Sequence, residues 1–228
     1  MTNKKISIII PTLNESLTIG TMLEQLQTFR ERGHEIIVVD GGSADDTITQ
    51  CETKADLVLV GRQGRALQMN LGAKFASGRI LLFLHADTQL PKDADHLIME
   101  SLARGKVWGR FDVCLSGTGR LLPCISWCMN VRSRLTGIAT GDQAIFVKQP
   151  VFESLKGFKV IDLMEDIDLS SRLKLIGPPA CLRQLAMTSA RRWIRGGVIK
   201  TILLMWCLRS AFALGVDPTR LNELYNRT

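Results

Sequence analysis

Four short aliphatic, β-branched runs at residues 6–10, 35–39, 57–60 and 80–84 constrain this chain most, because each gives way at once to a polar loop. Runs of four or five such residues are strand-length. Between them the apolar positions change period: Leu17, Ile19, Met22, Leu23 and Leu26 recur at helical spacing over 16–29, and 45–53 and 65–76 also read as helices. Pro11 reads as the end of the first strand. Strand and helix alternating at this spacing predict parallel βαβ units, hence an α/β fold with a mostly parallel central sheet flanked by helices. Right-handed crossovers then gather the strand C-termini along one edge, where such sheets take ligands.

At 228 residues the chain suits one α/β domain or two tightly fused subdomains. A net charge of +7 favours an anionic partner. No run of five or six like charges suggests a nucleic-acid tail, and nucleic acid is not expected as a partner. The six cysteines contain no Cys-x-x-Cys pair, and they read as reduced, buried thiols of a cytoplasmic protein. The apolar run 6–10 is too short for a signal peptide.

The second half changes character. Residues 106–115 and 144–147 read as strands, 121–135 as a helix, and 166–176 as a helix with an acidic start, closed by Gly177-Pro178-Pro179. Residues 197–216 are strongly apolar but interrupted by Lys200 and Arg209, so they predict a C-terminal amphipathic helix, packed or membrane-facing, rather than a span. A functional boundary falls near residue 105, without a flexible hinge.

Polar clusters follow the predicted strands: Pro11-Thr12-Leu13-Asn14-Glu15, Asp40-Gly41-Gly42-Ser43, Arg62-Gln63-Gly64-Arg65 and His85-Ala86-Asp87. Any one of them could serve solubility alone; together on one sheet edge they point to a site. No Gly-x-Gly-x-x-Gly follows the first strand, which argues against a dinucleotide oxidoreductase. Residues 11–16 contain no glycine, which argues against a nucleotidyltransferase loop.

In order, spacing and context these segments resemble glycosyltransferase family 2 over nearly the whole chain. Residues 8–15 are similar to its first strand and nucleotide loop, 38–47 to its second signature, 82–88 to the segment bearing its metal-binding Asp-x-Asp, and 163–169 with Arg172 to its Glu-Asp acceptor-side motif. Gly64-Arg65-Ala66-x-Gln68-Met69-Asn70, Gly141-Asp142-Gln143-Ala144 and Ser189-Ala190-Arg191-Arg192-Trp193 resemble the small arsenosugar-biosynthesis or carotenoid-type subgroup.

The resemblance implies a GT-A, Rossmann-like fold and one continuous domain: residues 1–105 hold a nucleotide-sugar donor, UDP- or GDP-linked, and residues 106–228 an unidentified, lipophilic acceptor. It implies Mg²⁺ or Mn²⁺ at Asp87, with His85 either a further ligand or turned into the sheet. Pro11, Thr12, Asn14, Glu15, Asp40, Gly41, Arg65 and Ala86 fall on the donor side, and Asp40 reads as an exposed strand end. Two departures stand out: His85 begins the metal motif where the family usually has Asp, and Gly41 replaces a common Asp. Asp166 matches the base of an inverting transfer, and a helix N-terminus favours its ionised form. Helix capping is the rival account of Asp166. Glu165 and Asp168 are its runners-up, Asp168 falling off the catalytic face. Gly141, Asp142, Glu165, Arg191, Arg192 and Trp193 fall on the acceptor and diphosphate side, the last three also fitting an anchor at the inner membrane face. A homodimer interface is the alternative cover for the C-terminal helix. A non-catalytic nucleotide-sugar-binding module, or a nucleotidyltransferase on a similar fold, is the alternative function.

Overall fold

The computed structural model describes residues 5–226, so residues 1–4 and 227–228 of the two expected halves lie outside it. In chain order the first half runs β1 (Ile6–Thr12), α1 (Ile19–Glu31), β2 (Glu35–Asp40), α2 (Thr47–Cys51), β3 (Leu57–Val60), α3 (Arg65–Phe75), β4 (Ile80–Phe83), β5 (Thr88–Gln89) and α4 (Ala94–Ala103). The second runs β6 (Trp108–Ser116), α5 (Leu122–Thr136), a 3-10 turn (Gly141–Gln143), β7 (Phe146–Lys148), α6 (Gln149–Ser154), α7 (Glu165–Ile176), β8 (Ala180–Ser189), α8 (Arg191–Gly196), α9 (Val198–Ala213) and α10 (Pro218–Asn226).

All eight strands join one sheet in the order β3-β2-β1-β4-β7-β6-β8-β5. The first four are parallel, as the alternation predicts. β6 and β8 are parallel as well, so the sheet is mostly parallel but mixed: β7 runs antiparallel to both β4 and β6, and β5 antiparallel to β8. A short apolar run carries no record of its direction, which the preceding turn decides. Neighbouring residues of β1 and β2 pack into opposite cores, Ile8, Ile10, Ile36 and Val38 with α1 and α4, Ile9, Ile37 and Val39 with α3, α6 and α7. A sheet covered on both faces explains why these strands read as unbroken apolar runs. Gly72 lets α3 lie close on β1, since a Cβ there would come 2.5 Å from Ile9 Cγ2.

Three expectations are corrected. Pro11 lies within β1 instead of ending it: β4 pairs only as far as Ile9, and Pro11 faces that same side, so its missing N–H breaks no ladder bond. The ten-residue β8 was not expected, because its burial does not follow a simple alternation and a bulge interrupts its pairing with β6. All six cysteines are free, but only Cys51 is buried, while Cys124, Cys128 and Cys207 are exposed.

α9 fills most of the expected C-terminal helix, but it is not cleanly amphipathic. Only Thr201 and Leu208 are buried, and Ile199, Leu203 and Trp206 face outward while Ile202, Leu204 and Met205 pack inward. Among the described residues no helix is long and apolar enough to cross a membrane.

Candidate active site

The parallel half delivers three loops to one edge. Asn14 takes a left-handed conformation (φ 53°), which asparagine tolerates, and its side chain accepts from Ala44 N–H at 2.9 Å while its own N–H donates to Ser43 Oγ at 2.8 Å. Asp40 is fully buried, not exposed. Its carboxylate accepts from Gly42 N–H (2.8 Å), Ser43 N–H (2.7 Å), Ser43 Oγ and Thr12 Oγ1 (3.3 Å), so it shapes the loop from within. Gln68 Nε2 donates to the carbonyls of Thr12 and Val39, both at 2.8 Å, tying α3 to the ends of β1 and β2. A side chain at Gly41 would meet Gln68 at 3.2 Å, which accounts for glycine there.

These loops open into a cleft of about 1480 Å³ that spans both halves of the chain. Pro11, Thr12, Glu15, Arg65, His85, Ala86 and Asp87 line one end, and Gly141, Asp142, Glu165, Asp166, Arg191, Arg192 and Trp193 also reach it. Asn14, Asp40 and Gly41 do not line it; they hold the loops that do.

Asp87 faces Arg191, whose Nη2 lies 3.3 Å from its Oδ2 and 3.1 Å from Glu15 Oε2, so one guanidinium spans the loops after β1 and β4. His85 turns to the second half of the chain, with Nδ1 3.3 Å from Asp142 Oδ1. Its ring occupies the space a Cβ of Gly141 would need, 2.4 Å from His85 Nε2. Burial raises the Asp142 carboxyl, but the His85 hydrogen bond and then the charges of His85, Arg65 and Arg209 outweigh it and hold Asp142 below the usual range. For Arg65, at the start of α3, desolvation is outweighed by the field of Glu165, Tyr225, Asp142 and Asp166, and its pKa rises.

Asp166 sits in the first turn of α7, accepting from Ile167 N–H at 2.7 Å and from Gly141 N–H at 2.8 Å. It therefore takes up one free N–H of its helix's first turn and also reaches the cleft, without being the helix cap, a position held by Met164. Glu165 beside it is buried, and desolvation followed by the Asp166 charge pushes its carboxyl up to about 7. Asp168 turns away to pair with Arg172 at 2.6 Å. Arg192 donates to Tyr225 O at 2.8 Å and stacks 3.2 Å over the Tyr225 ring, anchoring α10, while Trp193 packs beside Leu122 and Ile125 of α5.

Two arginines that line the cleft were not among the expected site residues, Arg132 on α5 and Arg209 on α9. Helical spacing carried the signal for the first, since Arg132 falls four residues after the cleft-lining Cys128. Arg209 stood out only as a charge in an apolar run. It turns inward, where burial lowers its pKa against the raising charges of Asp166 and Asp142.

Among the described residues no three His, Cys, Asp or Glu side chains converge as a metal cage. Asp87 supplies one carboxylate on the cleft lining, shared with Arg191, with His85 engaged elsewhere. That donor set fits a hard cation arriving with substrate phosphates, as Mg²⁺ commonly binds, better than a cation held by protein alone.

The model of glycosyl transferase family 2 matches residues 7–154. The chain belongs to this family. Poly-beta-1,6-N-acetyl-D-glucosamine synthase of Staphylococcus aureus (strain COL) is 27% identical over 242 aligned residues, covering 97% of this chain. The chain spans 57% of the length of that relative. Among solved structures, S. aureus TarS 1-349 in complex with UDP-GlcNAc superposes with a TM-score of 0.66 at 18% identity, covering 81% of this chain and 58% of that one. The mannosyltransferase PcManGT of Pyrobaculum calidifontis, in complex with GDP-Man and Mn²⁺, gives 0.64 at 22% identity, covering 91% and 61%. The family member described here has the GT-A α/β fold of these structures.

Proposed function

We propose that this glycosyltransferase moves a hexosyl group from a UDP- or GDP-linked sugar to an acceptor hydroxyl, with inversion at the anomeric carbon. The observation that carries the reading is one cleft with the Asp87–Arg191–Glu15 cluster at the parallel sheet edge and Asp166 on the acceptor half. Residues 1–105 then hold the donor and 106–228 the acceptor, within one domain. The donor is bound by the loops after β1 and β4, with Asp40, Asn14 and Gln68 setting their shape. Binding of GDP-Man with Mn²⁺ by the mannosyltransferase, and of UDP-GlcNAc by TarS, supports a nucleoside-diphosphate donor here. The three motifs around Gln68, Asp142 and Arg192 support assignment to the arsenosugar or carotenoid-type subgroup.

In the transfer the acceptor oxygen attacks the anomeric carbon from the face opposite the diphosphate. Its proton passes to Asp166, and the bond to the diphosphate oxygen breaks with its electron pair leaving on the nucleotide. Asp87 would hold Mg²⁺ or Mn²⁺, which supplies positive charge to the departing diphosphate. Arg191 takes up the same charge once it leaves Glu15 and Asp87, and Arg65 faces the donor from α3. Asp166 keeps its orientation through the Gly141 and Ile167 N–H groups. The exposed Ile199, Leu203 and Trp206 beside Lys200 support peripheral contact with an anionic membrane face, and thus a lipophilic acceptor.

Thermal shifts with UDP-, GDP- and other nucleotide-sugars, with and without Mn²⁺, test the donor. A selective ligand at a hundredfold excess over Kd stabilises the fold by about 2.7 kcal/mol. No response to any nucleotide-sugar refutes the reading, and a response without metal-dependent hydrolysis or transfer favours a non-catalytic nucleotide-sugar-binding module instead. Co-sedimentation with anionic liposomes tests the membrane contact; protein left in the supernatant at low salt points to a homodimer interface instead.

A further inference from the structure

The wall of the cleft between α5 and α9 carries two guanidinium groups that donor chemistry leaves unused. α5 is held on β6 by side chains, with Ser126 Oγ accepting from Leu115 N–H at 3.0 Å and Asn130 bonding both Val113 N–H (2.8 Å) and Val113 O (2.9 Å). That fixes the opposite face of the helix, with Cys124, Cys128 and Arg132, toward the cleft. Arg209 reaches the cleft from α9, one turn beyond Met205.

Nε and Nη2 of Arg132 and Nε of Arg209 are shielded from solvent and have no hydrogen-bond partner among the described residues. A buried N–H without an acceptor forfeits the hydrogen bond it makes to water, a loss that is greater on a charged group. The two cations also act on each other: burial, then the Arg209 charge, draws Arg132 down to about 10. The negative charges that act on them, Asp142 and Asp166, are already engaged by His85 and by the Gly141 and Ile167 N–H groups. Asp166 and Asp142, not Asp87 or Glu15, are the carboxylates acting on them, which separates this pair from the Arg191 cluster.

Guanidinium forks with free N–H groups match an oxyanion, which offers several acceptor oxygens at once and cancels the mutual repulsion. We propose that Arg132 and Arg209 form an anion subsite for the acceptor, which carries a phosphate or carboxylate close to the hydroxyl that is glycosylated. The proposal rests on the reading of Asp166 as the base, because that residue is what makes this end of the cleft the acceptor side. Ile125, Met129, Ile202 and Met205 line the same wall, so the anionic group of a lipid fits there as well as a small phosphate ester. The recognition chemistry is common to both.

The test uses the full chain and inorganic phosphate as the probe, against chloride at matched ionic strength. Phosphate is expected to raise the melting temperature of the wild type and of Arg191→Gln. Arg132→Gln and Arg209→Gln should each weaken phosphate binding at least tenfold by calorimetry, without lowering the melting temperature in chloride. If either glutamine variant fails to fold, Arg132→Lys and Arg209→Lys keep the charge, lose the fork, and should weaken phosphate severalfold. No phosphate response in the wild type, an undiminished response in the Arg132 and Arg209 variants, or a response lost in Arg191→Gln overturns the subsite. Phosphatidylglycerol against phosphatidylcholine vesicles separates the sources. Retention on phosphatidylglycerol that Arg209→Gln abolishes marks a lipid acceptor, and phosphate binding without such retention marks a soluble ester. Nucleotide-sugar shifts measured on the same variants keep the two readings apart, since a failed subsite leaves donor binding intact.

Discussion

Glu165→Gln is expected to leave stability unchanged below pH 4.5 and to raise it above pH 7, the two values between which burial and the neighbouring Asp166 have moved this carboxyl. The unfolded chain releases the Glu165 proton near the ordinary 4.5, and the folded protein holds it until about 7. Between those values the folded state binds the extra proton, so the wild type loses stability as pH rises, and the loss is complete above the folded value. At about 1.4 kcal/mol per pH unit the displacement amounts to about 3 kcal/mol, an upper figure because the folded protein relaxes around the new charge. Glutamine fills nearly the same space, carries no charge at any pH and escapes that loss. For a chain of this size 1 kcal/mol moves the melting temperature by about 2–4 °C, so the variant should melt roughly 6–12 °C higher at pH 8 and level with the wild type at pH 4.5. Paired thermal melts at pH 4.5, 6 and 8 read the effect directly. A difference that is the same at all three, or a variant less stable at pH 8, refutes the account of Glu165 as a buried carboxyl raised by its neighbour Asp166.

Asp40→Ala should cost about 1–3 kcal/mol, because it strips the Gly42 and Ser43 N–H groups and the Thr12 hydroxyl of their shared acceptor; melting curves check this, and an unchanged transition would mean that water replaces the carboxylate. Asp87→Asn should retain the wild-type melting temperature within about 2 °C and lose metal-stimulated transfer; activity that survives both this change and EDTA removes the metal from the mechanism. Gly141→Ala should lower kcat at least tenfold with little change in donor affinity, since its Cβ displaces His85 and disturbs the N–H that orients Asp166. Asp166→Asn should abolish transfer while nucleotide-sugar binding persists by calorimetry, and wild-type turnover in that variant would end its role as base.

The β-branched runs and the helical spacing between them determined the parallel half of the sheet, because strand and helix periods are local and each crossover has one favoured hand. The loops after β1, β2 and β4 were legible as a site for the same reason, since the chain must deliver strand ends to one edge. What each loop residue does there was not legible. Asp40 and Asn14 look like ligand-binding residues in sequence, yet Asp40 accepts from the N–H groups of its own loop, and Asn14 bonds Ser43 and Ala44 of the loop after β2, which only packing brings within its reach. Gly41 and Gly141 are explained by Gln68 and His85, each more than 25 residues away. The antiparallel insertion of β7, the bulged β8 and the inward turn of Arg209 were decided by tertiary structure alone. Strand direction, a tolerated bulge and the side of an all-apolar helix that meets a cleft depend on what lies opposite, and one stretch of sequence contains no record of its neighbour.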